Sequence, residues 1–122
     1  MPLTKPVNDH RLNEILYRDL YSGLIRLHIL HHAAEEPVFG LGMIEELARH
    51  GYKLSPGTMY PILHGLEKRG LLRSKEVWTN SHRRLVYTAT PLGRRALKAT
   101  REKVRELFGE LIEKKEPKHS HL

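Results

Sequence analysis

The chain contains no cysteine, which excludes disulfide bonds and thiolate metal sites. No apolar run approaches membrane-spanning length, and the N-terminus has no signal-peptide pattern. A soluble, cytoplasmic chain with no membrane partner is therefore expected. The marks of common catalytic sites are missing too: there is no nucleophile elbow, no glycine-rich phosphate loop and no HExxH. Gly40-Leu41-Gly42 lacks the third glycine and the preceding strand of a dinucleotide fingerprint, and reads as a tight lead into a helix. Glu45 and Glu46 read as exposed helix acids. No enzymatic activity, no cofactor and no bound metal is expected. At 122 residues the chain suits one domain with a small core.

Acids are scarce in one region. Residues 68–105 hold twelve Lys or Arg but only two acids, Glu76 and Glu102. That segment is +10 within a chain of net charge +7, which leaves −3 for the remainder. A localised basic block is an electrostatic footprint for phosphate. A solvated basic surface with no partner is the plainer alternative.

The most informative stretch that is present spans residues 54–72. Ser55 followed by Pro56 is a helix-start signal. Met59, Ile62, Leu63 and Leu66 then fall on one helical stripe. Gly57, Pro61, His64 and Lys68 fall opposite, with Tyr60 at the border. Pro61 forgoes one backbone bond and is expected to bend the first turns or delay the helix start. Gly70 ends the helix. A short helix with one apolar face and one polar, basic, part-aromatic face suits the DNA major groove.

Around this helix the chain has a clear order. Residues 1–8 have little pattern. Asp9 caps a first helix with Leu12, Ile15, Leu16 and Leu20 on one stripe, interrupted at Ser22 or Gly23. A second helix over residues 22–34 is apolar around most of its circumference (Leu24, Ile25, Leu27, Ile29, Leu30, Ala33, Ala34), as a buried helix is. Glu35-Glu36-Pro37 ends it. A third helix carries Met43, Ile44, Leu47 and Ala48 and stops at Gly51. After Gly70 the pattern alternates as two strands, 72–77 and 84–90, with Leu85, Tyr87 and Ala89 on one face and a turn at Thr79-Asn80-Ser81-His82. Pro91 starts a long helix to about residue 115, and a polar tail closes the chain. Helices followed by a two-stranded wing make a winged helix-turn-helix: mainly α with a small β-hairpin.

Two further features bear on assembly and binding. Leu97, Val104 and Leu111 recur every seven residues, with Leu107, Phe108 and Ile112 widening the stripe, which suits a helix-to-helix seam between two copies. The stripe packing on its own domain is the alternative. Arg83 and Arg84 beside the turn can reach phosphates or the minor groove. Trp78 either anchors the wing or lines an interface. His28, His31 and His32 share one arc of the second helix, with Glu35 and Glu36 four residues beyond the last two. That spacing serves a His–Glu pair as well as a metal, and the cluster reads as partly buried polar groups at a helix or dimer interface. His119 and His121 in the tail carry less still.

Residues 22–98 resemble the PadR family of bacterial transcription regulators. The resemblance rests on Leu27-His28-Ile29-Leu30, on Phe39-Gly40-Leu41-Gly42-Met43-Ile44-Glu45-Glu46-Leu47, on the whole stretch from Leu54 to Gly70, and on Tyr87-Thr88-Ala89-Thr90-Pro91-Leu92-Gly93-Arg94-Arg95-Ala96-Leu97. It implies a homodimeric winged-helix repressor that binds a pseudo-palindromic operator in double-stranded DNA. Ser55, Thr58, Tyr60, His64 and Lys68 would contact DNA from the helix, and Arg83 and Arg84 from the wing. The expected organisation is an N-terminal arm and helix (1–21), a DNA-binding domain (22–90), a C-terminal dimerisation helix (91–115) and a flexible tail (116–122). The expected dimer interface joins Leu12, Ile15 and Leu16 to Leu97, Val104, Leu107, Phe108 and Leu111. An apolar or aromatic small-molecule effector is implied by the resemblance. The competing function is a winged-helix protein-interaction module whose basic face is incidental.

Overall fold

The computed structural model describes residues 9–114. The expected arm over residues 1–8 and the tail with His119 and His121 lie outside the described residues. Asp9 does cap α1 (His10–Ile15): its carboxylate accepts from the N–H of Arg11 at 2.9 Å and of Leu12 at 3.2 Å. The expected interruption at Ser22 or Gly23 is not found. The backbone stays right-handed helical from α1 through a π-helical turn, Leu16–Tyr21, into α2 (Ser22–Glu35). Gly23 meets nothing that would forbid a side chain there. The irregularity lies earlier, and the π turn carries Tyr17 and Tyr21. Tyr21 packs edge-on against Tyr52, and the Tyr17 hydroxyl accepts the Lys53 N–H at 3.2 Å.

Nor is α2 buried all round. Ile25, Ile29, Leu30 and Ala33 enter the core, but Leu24 on the opposite flank stays open. After Pro37 comes a strand that the sequence pattern did not reveal, β1 (Val38–Phe39). Then follow α3 (Gly40–Arg49) and α4 (Pro56–Lys68), then β2 (Leu72–Thr79), β3 (His82–Ala89) and α5 (Pro91–Leu111). The helix start at Pro56 is not delayed by Pro61. Gly70, at φ 82°, turns the chain out of α4 as the sequence suggests.

The sheet order is β1-β3-β2, all antiparallel. Val38 pairs with Tyr87 and Leu72 with Ala89. The wing is longer than expected and its turn shorter. Asn80 and Ser81 alone make the connection, both at positive φ (50° and 68°), the backbone that a two-residue hairpin needs to match strand twist. Helix α5 stops at Leu111, short of residue 115.

The core gathers Met43 and Leu47 of α3, Met59, Leu63 and Leu66 of α4, the α2 residues, and Leu72, Tyr87, Ala89 and Leu97. The Thr90 hydroxyl accepts from the Gly93 N–H at 2.9 Å and donates to the Gly70 carbonyl at 2.5 Å. One side chain thus caps α5 and ties its start to the end of α4. A side chain at Gly93 would run into the Leu71 carbonyl, so this close approach requires glycine.

Candidate nucleic-acid interface

Helices α3 and α4, joined by a short turn, form the helix-turn-helix. Met59, Leu63 and Leu66 are buried and Ile62 is half-buried, so the apolar stripe of α4 is consumed by its own domain. Gly57, Thr58, Pro61, His64 and Lys68 are exposed together on the other side. Ser55 precedes the helix with extended backbone. Its carbonyl accepts from the N–H of Thr58 and Met59 at 3.0 and 2.9 Å. Its hydroxyl makes no cap bond to the backbone and lies 3.4 Å from the Thr58 hydroxyl instead. Both hydroxyls therefore remain on the open face.

Tyr60 is placed differently from its neighbours. Its ring is half-buried against the start of α3, where a Cβ on Gly40 would come within 2.5 Å of it. Tyr60 fixes the angle between α3 and α4 as well as bordering the exposed face. Gly40 is thus needed for this ring rather than for the turn into α3.

Gly57 presents the reverse case. Its φ is not positive, and a Cβ there would meet only the Ser55 Oγ at 3.7 Å, an ordinary contact. Nothing within the protomer requires glycine at this position, although glycine within a helix costs roughly 0.5–1 kcal/mol relative to alanine.

The wing is held at a set angle to α4 by Glu67. Its carboxylate accepts from the Ser74 N–H at 3.0 Å and from the Ser74 hydroxyl at 2.8 Å. Adjacent residues in a strand point to opposite faces, so Arg83 and Arg84 are separated. Arg83 pairs with Glu76 at 3.0 Å, whereas the Arg84 guanidinium lies 5.3 Å from the Phe39 ring centroid on the other face. Trp78 does not anchor the wing: it is 69% exposed beside Arg83, near the hairpin tip.

Sequence reasoning passed over Arg73 and Lys75, which are exposed on β2 and line the outer face of the wing with Val77, Val86 and Thr88. Strand alternation through residues 73, 75 and 77 was the available signal. Arg69, also exposed, folds back to donate to the Gly65 carbonyl at 3.2 Å.

The proposed dimer residues divide. Leu97 is buried in the core of its own chain, so it is not free for a seam between copies. Val104, Leu107, Phe108 and Leu111 are exposed farther along α5, as are Leu12 and Ile15 on α1, while Leu16 is half-buried. Of the expected His–Glu pairs, His31 meets Glu35 at 3.8 Å, but His32 reaches across to Glu46 on α3 at 3.5 Å. No helix among the described residues is long and apolar enough to cross a membrane.

Comparison with known proteins agrees with this architecture. Residues 29–99 match the model of the transcriptional regulator PadR-like family. The chain is 48% identical over 95 residues to the transcriptional regulator Rv3488 of Mycobacterium tuberculosis, covering 78% of this chain and 89% of that one. Among solved structures, a PadR family transcriptional regulator from Eggerthella lenta superposes with a TM-score of 0.69 at 28% identity, covering 86% of this chain and 96% of that one. A transcriptional regulator from Clostridium thermocellum gives a TM-score of 0.66 at 26% identity, covering 79% and 96%.

Proposed function

The chain belongs to the PadR-like family of transcriptional regulators, and from that premise we propose that it is a sequence-specific repressor acting as a homodimer on a pseudo-palindromic DNA operator. It is a regulator rather than an enzyme, and it works in the cytoplasm. In this reading α4 enters the major groove and presents Ser55, Thr58, His64 and Lys68, with Tyr60 at the edge. Arg83 and Arg84 meet phosphates from the wing, joined by Arg73 and Lys75. Residues 22–90 read DNA and residues 91–115 join the copies through Val104, Leu107, Phe108 and Leu111, with Leu12, Ile15 and Leu16 of the first helix completing the apolar surface.

The observation that carries the reading is the exposed face of α4, where Gly57, Thr58, His64 and Lys68 stand open while Met59, Leu63 and Leu66 are buried behind them. The Ser55 and Thr58 hydroxyls, 3.4 Å apart, lie on the same face, and at Gly57 a Cβ would stand between the helix and the edge of a base pair.

An apolar effector is supported by a cavity of about 250 Å³ between α2 and α5, lined by Leu24, Leu27, His28, His31, Leu97, Arg101 and Val104. It adjoins the start of the exposed α5 stripe, so a ligand there would bias the angle at which two copies meet.

A gel shift on the DNA upstream of the protein's own gene, at two salt concentrations, tests the proposal. Retarded DNA that resists unrelated competitor supports it. Binding that is equal on all sequences, or none, contradicts it.

A further inference from the structure

The fold adds a fourth side chain and a fifth to the histidines of α2. His50, the residue that ends α3, brings its ring to 4.5 Å from that of His28. The donor nitrogens of His28, His32 and His50 all lie within 4.8 Å of one another. Glu46, one turn before His50, points its Oε2 at the same place, 3.2 Å from the His50 Nε2 and 3.5 Å from the His32 Nε2. Its other oxygen, Oε1, is held by Arg49 at 2.6 Å, which sets the plane of the carboxylate as an outer-shell partner does in metal sites.

We propose that His28, His32, His50 and Glu46 form a tetrahedral binding site for a borderline divalent cation of the zinc class, joining α2 to the end of α3. Three imidazole nitrogens and one carboxylate oxygen are a donor set that suits such an ion and not a hard one such as Mg²⁺. Ligands about 2.0–2.1 Å from a tetrahedral zinc stand about 3.3 Å from one another. The two contacts of Glu46 already have that spacing, and the three imidazole nitrogens lie within 4.8 Å of one another. The exposed rim gives an ion access from solvent.

Burial, with the neighbouring His50, His32 and His31, holds the His28 pKa below its usual value, outweighing Glu46. Partial desolvation raises the Glu46 pKa, but the hydrogen bond from His50 and the nearby His32 and Arg49 bring it below the ordinary carboxylate range.

The placement is also suggestive in the fold. Gly51 and Tyr52 follow His50 directly, and Tyr52 packs against both His28 and Tyr21. An ion here braces the turn that leads to α4 from behind.

A second set, His31, His32 and Glu35, shares His32 and is the competing site. The experiment separates them. Metal-free full-length protein is titrated with Co²⁺ and with Zn²⁺ in the absence of DNA, so the result stands apart from the DNA-binding reading. The proposal predicts one ion per chain, the strong visible absorbance of tetrahedral Co²⁺, its displacement by Zn²⁺ and indifference to Mg²⁺. His50→Ala, at an exposed position, and His28→Gln should each weaken Co²⁺ binding by more than about tenfold, a loss that even outer-shell changes can produce. Glu35→Gln and a variant with His119 and His121 both changed to alanine should keep it. No bound ion, octahedral Co²⁺ spectra, or binding lost in Glu35→Gln but kept in His50→Ala would overturn it.

Discussion

Helix α4 and the far half of α5 are both amphipathic, yet they end in opposite states. In α4 the apolar residues Met59, Leu63 and Leu66 are buried in the chain's own core, and what remains outward is polar, basic and small. In α5 the first turns behave likewise, with Gly93 and Leu97 buried, but past residue 100 the apolar stripe stays largely open: Leu107 is 52% exposed and Leu111 64%. A face left over after the core is complete is available for a polar ligand. An apolar stripe left over is an unmet demand for burial. The first pattern suits recognition of DNA and the second suits a second copy of the chain.

The sharpest way to break this contrast is to damage each helix where it is said to be satisfied or unsatisfied. Leu66→Ala in α4 should destabilise the fold by roughly 2–5 kcal/mol, because the methyl groups leave a cavity in a packed core. Denaturant unfolding measures it, and a loss under about 0.5 kcal/mol would be a surface effect and would undo the assignment of that face. Leu107→Glu in α5 should scarcely change the protomer but convert the proposed dimer to monomer, since a charge is forced into an apolar seam. Sedimentation reads the mass directly. A dimer mass that persists would remove the seam.

Smaller effects sharpen the division of labour at the DNA face. Arg84→Ala should weaken operator and random DNA alike and lower the salt slope of binding by about one. A change in the ratio between the two DNAs would instead make the wing a reader of sequence. The smallest effect concerns Tyr87, whose hydroxyl is buried without a hydrogen-bond partner among the described residues. Its pKa is raised, first by burial and then by Glu67 and Tyr60. Tyr87→Phe should leave stability unchanged or raise it by about 1 kcal/mol, because an unmet polar group is costly to bury. A clear destabilisation in the same unfolding assay would mean that the hydroxyl has a partner.

Much of this architecture was legible because its signals are local. Ser55-Pro56 and Gly70 bracket α4, and strand alternation exposes the inner face of Leu85, Tyr87 and Ala89. The features that escaped depend on contacts between distant parts of the chain. Two residues, Val38 and Phe39, have no period to read, and only pairing with Val86 and Tyr87 makes them a strand. Ser22-Gly23 looked like a break because both residues weaken a helix, but packing of Tyr21 on Tyr52 carries the helix through. Tyr60 lay at the border of the α4 stripe, and only the missing side chain of Gly40 decides that its ring packs inward. The histidines of α2 read as partly buried interface groups, because their contacts with His50 and Glu46 cross from the end of α3.

Gly57→Ala separates what DNA demands of the exposed face of α4 from what the fold demands. Within the protomer the added methyl meets only the Ser55 hydroxyl oxygen, so unfolding free energy should stay level or rise by roughly 0.5–1 kcal/mol. Binding to the operator should nevertheless weaken by roughly 1–3 kcal/mol, the scale of one lost base contact, with little change on random DNA. A variant that is as stable as the parent and binds the operator as tightly would mean that this face is not shaped for DNA.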